Sequence, residues 1–212
     1  MPLDAQTSYD RVAEEYARRI YHELEHKPFD RKMLDWLIEK AADPGIICDM
    51  GCGPGHVARY LADQGAQSSG LDLSPEMVRI ASERNPDIRF QQGSMLDLSS
   101  VAEASFGGIA AFYSLIHIPL EDMPQVLAEF WRILKPGGVM LAAFHAGDEI
   151  RHLDEWWGEP VSLDFIFFPR NVMRDQFTQA GFVIEESIER DPYPEIEVQT
   201  QRAYLFARKP MP

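Results

Sequence analysis

Apolar residues recur at Val12, Ala13, Tyr16, Ile20 and Leu24 with charged residues between them, a spacing that predicts an amphipathic helix over 10–27. Pro28 interrupts it. Met33, Trp36 and Leu37 mark a second such helix over 29–42, which the Pro44-Gly45 pair breaks. From Ile46 the pattern changes to short, almost wholly apolar runs alternating with helical spacing. The run at 46–50 reads as a strand buried on both faces, and 67–71, 88–92, 109–113 and 139–144 read as further strands. Helices are expected over about 55–64, from Ser74-Pro75-Glu76 onward, and over 121–134 as far as Lys135-Pro136-Gly137-Gly138. The second of these starts well, with Ser as cap and Pro at the first helical position.

Repeated strand–helix units imply a parallel sheet with helices on both faces. The two N-terminal helices belong to no such unit and should pack as an appendage over the sheet. The last third also departs from the alternation. Segment 145–168 carries Trp156, Trp157, Phe165, Phe167 and Phe168 and is expected to form a long functional loop or a partly structured insertion. A helix over 169–180 closed by Gly181 follows, then strands over 182–190 and 198–208. No helix separates those strands, so they should pair antiparallel. The expected organisation is a single α/β domain over 1–212: a helical lid over 1–44, a core over 45–144, an insertion over 145–168, and a last helix with an antiparallel strand pair over 169–212.

The stretch that can do chemistry is IICDMGCGPGHVARYL, residues 46–61, a strand, a glycine turn and a helix in succession. Glycines are needed where a backbone takes positive φ or comes within contact distance of a ligand. A dinucleotide-binding turn reads G-x-G-x-x-G. Here the order is G-x-G-x-G, and His56 stands where the third dinucleotide glycine belongs, which disfavours an NAD-dependent oxidoreductase.

With Asp49 before the turn, D-x-G-C-G-P-G closely resembles the first motif of the class I methyltransferases that use S-adenosylmethionine (SAM). GLDLSPEMV, residues 70–78, resembles the family's second motif, and E-F-W-R-I-L-K-P-G-G, residues 129–138, its approach to the fifth strand. The resemblance covers nearly the whole chain. It implies a seven-stranded, mostly parallel sheet of order 3-2-1-4-5-7-6 with one antiparallel strand, SAM as cofactor, and in-line methyl transfer to an oxygen or nitrogen of a small-molecule acceptor. A protein or RNA acceptor, or a SAM-binding partner subunit without chemistry, would keep the same motifs.

The same resemblance distributes the site residues. Asp49, Gly51, Cys52, Gly53 and Gly55 form the turn under the amino acid part of SAM. Asp72 closes the second strand, where an acidic side chain accepts both ribose hydroxyls, with helix capping as its plainer role. Leu73 and Met77 would flank the adenine or serve the core. Ser94, where many members have aspartate, and Met95 face the adenine edge. Tyr113 and Ser114 end the fourth strand on the ligand side. Tyr9 and Tyr16 lie in Y-D-R-V-A-E-E-Y, which resembles a segment that closes over SAM, although Tyr16 suits core packing equally well.

His117, just past the fourth strand, is the candidate general base, because neutral imidazole can take a proton near physiological pH. Its alternative is to orient the loop before Pro119. His145, after the fifth strand, is a weaker candidate of the same kind. Arg170, Arg174, Arg190 and Arg202 border the acceptor side, where one guanidinium could hold a substrate carboxylate. Asp148 and Glu149 could suggest magnesium, but adjacent loop acids are usually solvated, and no metal site is expected.

Composition narrows the partners. The 34 acidic and 20 basic residues give a net charge of −14, which argues against nucleic acid, since phosphate binding needs clustered Lys and Arg. The chain's two cysteines, Cys48 and Cys52, exclude a disulfide framework and make the cytoplasm the natural expectation. No apolar leader and no run of about 18 apolar residues occurs, so no membrane contact is expected. Acceptor identity and oligomeric state leave no mark in the sequence.

Overall fold

A computed structural model describes residues 4–42 and 45–212. Met1 to Leu3 and the Asp43-Pro44 pair, with half of the expected Pro44-Gly45 break, lie outside the described residues. The first predicted helix is two elements, α1 (Ala5–Ile20) and a short 3-10 turn (Glu23–His26). Asp4 caps α1 by accepting a hydrogen bond from the amide of Thr7 at 2.8 Å. Pro28 does not merely interrupt the helix. It opens the next one, α2 (Pro28–Lys40), because proline has the right φ for a first turn and no amide to leave unpaired.

The alternation then runs β1 (Ile46–Met50), α3 (His56–Asp63), β2 (Ser68–Asp72), α4 (Pro75–Arg84), β3 (Arg89–Gln92), β4 (Phe106–Phe112), α5 (Met123–Ile133) and β5 (Leu134–His145). Strand β5 starts earlier than its apolar run. Lys135-Pro136-Gly137-Gly138 is an irregularity inside it, where pairing with β4 jumps from Phe106–Leu134 to Gly108–Val139.

Segment 145–168 is no loop. It folds into a hairpin, β6 (Ile150–Trp156) and β7 (Glu159–Ile166), turned by Trp157-Gly158. Its signal was hidden because aromatics and charges alternate there without a clean apolar face. Helix α6 (Arg170–Gln179) leads to β8 (Val183–Arg190), and β9 (Arg202–Arg208) closes the chain's last pair. The larger sheet has the order β3-β2-β1-β4-β5-β9-β8, parallel except where β9 meets its two neighbours. With the hairpin set aside this is the expected 3-2-1-4-5-7-6 arrangement.

Successive residues of β5 feed two cores, as the two-residue period of a strand requires. Met140, Ala142 and Phe144 join Phe130, Ile133 and Phe177 on the face covered by α5 and α6. Val139, Leu141 and Ala143 join Met33, Leu34 and Leu37 of α2, with Tyr204 and Phe206 of β9. So α2 does cover the sheet, whereas α1 lies on the hairpin and α4: Val12 packs with Val161 and Leu163, and Ala13 and Ala17 with Met77 and Ile80. Helix α1 and the hairpin thereby form one layer above the C-terminal strand ends.

Packing around β2 leaves no room for a side chain at Gly70. An added Cβ would stand 2.5 Å from Phe90 Cδ1 and 2.9 Å from Cys52 Cβ. Gly70→Ala is therefore expected to cost about 1–3 kcal/mol, measured as a lower urea midpoint at unchanged slope.

Candidate active site

Strands β1, β2 and β4 end side by side, and their C-terminal ends open into a cavity of about 280 Å³. Gly51 and Gly53 form its floor, with φ of 74° and 51°, values that glycine adopts without strain. A Cβ on Gly51 would collide with Ser114, whereas one on Gly53 would meet only Tyr16 Cε1, at 3.7 Å. Ser114 donates a hydrogen bond to the Met50 carbonyl at 2.5 Å, joining the ends of β4 and β1. Tyr113 holds φ of 54°, strained for a residue with a side chain, and is fixed by its hydroxyl, 3.0 Å from that of Tyr204.

Asp72 reaches the cavity from β2. Its Oδ2 accepts from the Gly53 amide at 2.8 Å and its Oδ1 from Ser74 at 2.9 Å. Burial raises its pKa, and those two N–H groups oppose the rise. Ser74 is the cap of α4, accepting from Met77 at 3.1 Å, so the capping role expected as the alternative for Asp72 belongs to Ser74. Leu73, Met77, Ser94, Met95 and Cys52 also line the cavity.

Two members of the glycine-turn motif do not. Asp49 is buried behind it, where its Oδ2 accepts from the Ala58 amide at 3.2 Å and burial pushes its pKa up to about 7. Gly55, with φ of 83°, packs against Phe90 and Asn85. Both brace the turn from below. Cys48 and Cys52 are free thiols; burial pushes Cys48 up to about 12 and Cys52 well above its usual value.

Tyr9 and Tyr16 hang from α1 over the opening. Tyr9 is 2.6 Å from His117 Nε2, and His117 Nδ1 is 2.8 Å from the carbonyl oxygen of Asp164 on β7. That oxygen can only accept, so Nδ1 carries the imidazole proton and Nε2 accepts the Tyr9 hydroxyl. His117 therefore joins α1, the hairpin and the loop after β4. Burial pushes its pKa down to about 4, partly opposed by the Asp164 carbonyl. Around this junction Trp156 meets Tyr9, Tyr16 and Phe165 edge-on at ring separations of 5.6–6.0 Å. The hairpin aromatics thus back the tyrosines and do not themselves line the cavity.

His145 stands apart from this group. Its Nδ1 lies 2.8 Å from Thr200 Oγ1 and 2.6 Å from Arg202 Nη1, and its ring stacks on Phe167. Burial and the Arg202 charge push its pKa down to about 3. Arg170, Arg190 and Arg202 are committed elsewhere too, and Arg174 lies beside Arg170 and Glu189, away from this cavity. Arg190 pairs with Asp30 at 2.9 Å and Glu197 at 2.7 Å, Arg202 binds the Thr200 and Val198 carbonyls, and Arg170 pairs with Glu189 at 3.0 Å. Glu149 pairs with Arg151 at 2.5 Å. Among the described residues no group of three His, Cys, Asp or Glu is placed to hold a metal, and no helix is long and apolar enough to cross a membrane.

Sequence reasoning missed several cavity residues. Phe112, Leu96, Ile118 and Pro119 form an apolar wall, and Glu23 and His56 an ionic corner. His56 was marked by its place directly after Gly55. Glu23 had no signal, since it arrives from the 3-10 turn by tertiary contact alone.

The glycine floor and the Asp72 carboxylate suit SAM, whose amino acid part needs close backbone approach and whose ribose needs an acceptor for two hydroxyls. Both lie on one cavity with apolar flanks for a base.

Two buried neutral histidines make stability depend on pH. Both folded pKa values lie below the unfolded value near 6.5, so the unfolded chain binds more protons and stability falls as pH drops from about 6.5 toward 4. The protein is expected to lose on the order of 1–2 kcal/mol per histidine between pH 7 and 5. His117→Gln should flatten that loss in urea midpoints taken at the two pH values, and an unchanged slope would contradict the assignment.

Residues 47–138 match a family model described as a methyltransferase domain. A malonyl-[acyl-carrier protein] O-methyltransferase of Enterobacter lignolyticus is 28% identical over 158 residues, covering 74% of this chain and 60% of the relative. A demethylmenaquinone methyltransferase of Chlorobaculum parvum is 37% identical over 102 residues, covering 48% of this chain and 41% of the relative. The chain thus spans less than two thirds of the length of these curated relatives. A solved 1,6-didemethyltoxoflavin-N1-methyltransferase of Burkholderia thailandensis, with S-adenosylhomocysteine bound, shares the fold at TM-score 0.65 and 21% identity, covering 99% of this chain and 92% of that one. Residues 47–138 are thus similar to a methyltransferase domain, and the sheet order, with the glycine turn and Asp72 at one cavity, is the arrangement of the class I SAM-dependent methyltransferase fold.

Proposed function

We propose that the protein methylates an oxygen or nitrogen of a neutral, largely apolar small molecule. The observation that carries this reading is the make-up of the cavity wall. Away from the glycine floor, Asp72 and the Glu23–His56 corner, it is formed largely by Phe112, Leu96, Ile118, Pro119 and the tyrosines with His117, and among the described residues no lysine or arginine lines it. An anionic acceptor would enter with its charge unpaired, at a cost of several kcal/mol. The relatives' names include a malonyl acceptor, which carries a carboxylate, and a demethylated menaquinone, which is flat and apolar. The wall favours the second kind.

SAM supplies a methyl group already activated on a sulfonium, so the protein's work is positioning and exclusion of water. In this reading Gly51 and Gly53 admit the amino acid part, Asp72 accepts the ribose hydroxyls, and Leu73, Met77, Ser94 and Met95 enclose the base. Helix α1 acts as a lid through Tyr9 and Tyr16. With an oxygen acceptor, His117 receives the acceptor's proton through the Tyr9 hydroxyl that already faces its Nε2. A weak base suffices there, because a hydroxyl that has gained a methyl is a far stronger acid than an imidazolium of pKa about 4. The cytoplasm is the setting that two reduced thiols fit best.

Incubation with methyl-labelled SAM and an extract of the source organism tests the reading. Label in the small-molecule filtrate supports it, and label retained with macromolecules favours a protein or RNA acceptor. Asp72→Ala is expected to weaken SAM binding by about tenfold to a hundredfold in calorimetry; unchanged affinity would remove the ribose role.

A further inference from the structure

One end of the cavity holds a charge that the glycine turn and Asp72 leave unexplained. Glu23, on the 3-10 turn between α1 and α2, lines the cavity beside Gly51, Gly53 and Tyr16. Its Oε1 accepts from His56 Nε2 at 3.2 Å and its Oε2 from Lys27 Nζ at 2.7 Å. Because a carboxylate only accepts, His56 donates from Nε2, and in the neutral ring this leaves Nδ1 as an acceptor. That Nδ1 is buried and has no hydrogen-bond partner among the described residues. His56 opens α3 directly after Gly55 and lines the cavity with Glu23, so both residues stand at its glycine-turn end.

We propose that Glu23, with His56 beside it, holds the α-ammonium group of SAM. The inference rests on SAM being the cofactor. The wall's carboxylates among the described residues are Glu23 and Asp72; with Asp72 given to the ribose, Glu23 is left for the ammonium that SAM carries beside its own carboxylate. An ammonium offers three donors, which matches a carboxylate oxygen and an orphaned imidazole nitrogen. Burial works against the charge of Glu23, but the hydrogen bond from His56 and the Lys27 charge oppose it, and its pKa comes down to about 2. The acceptor therefore stays ionised throughout the working pH range.

The competing account makes Glu23 an anchor that ties the 3-10 turn to α3 and touches no ligand. Calorimetry with two ligands separates the two. S-adenosylhomocysteine has the amino acid part, and 5′-methylthioadenosine keeps the nucleoside and thioether without it. Glu23→Gln is expected to weaken S-adenosylhomocysteine by about tenfold to a hundredfold and to leave methylthioadenosine unchanged, which also shows that the variant folds. His56→Ala should give the same selective loss. Equal losses for both ligands, or no loss for either, would overturn the proposal. Wild-type protein that bound neither ligand would instead reject the cofactor on which it rests.

Discussion

The site depends on β1 being hydrogen-bonded in parallel to β2 on one side and β4 on the other. Parallel pairing lines up the carboxyl ends of neighbouring strands, and at those ends the chain must leave the sheet for a helix. In β1 it leaves through Gly51 and Gly53, in β2 at Asp72, and in β4 through Tyr113 and Ser114. Each exit is tied to another: Ser114 to the Met50 carbonyl, and Asp72 to the Gly53 amide. The cavity floor is thus a property of the sheet, held by the buried strands β1 and β4 with β2 beside them.

The walls are held differently. Asp30 of α2, Arg190 of β8 and Glu197 of the final connection form a buried ionic cluster, with Lys27 3.7 Å from Glu197. Tyr204 donates to Asp30 and stands 3.0 Å from the Tyr113 hydroxyl, so the cluster reaches the cavity edge. Buried ion pairs add little net stability, because desolvation offsets their attraction, but removing one partner strands the other. Their effect is to set one position for the 3-10 turn, and with it for Glu23 and Lys27.

Above the opening the same logic is carried by aromatic rings and a single imidazole. His117 can satisfy both nitrogens only when α1 and the hairpin are both in place, since Tyr9 comes from one and the Asp164 carbonyl from the other. Trp156 fills the space between Tyr9 and Tyr16, and Trp157 stacks on it at 4.6 Å. The layer over the cavity therefore closes as a unit.

Local pattern determined most of the fold. The apolar runs, Ser74-Pro75 and the glycine turn each act within a few residues, so the succession of strands and helices, the floor and the place of Asp72 could be read from neighbours in the chain, whereas the strand order followed only from the family resemblance. The hairpin at 150–166 could not, because its buried face exists only against α1, where Val161 and Leu163 meet Val12. Glu23 was invisible for the same reason, since its partner His56 is 33 residues away. Asp49 and Gly55 were legible as motif, but whether a motif residue touches the cavity or braces it from behind depends on side-chain direction in the packed core. Tertiary structure likewise decided between the histidines. His117 and His145 both follow strand ends, but one meets a phenol at the cavity and the other an arginine and a threonine outside it, because packing partners fix where a ring nitrogen points.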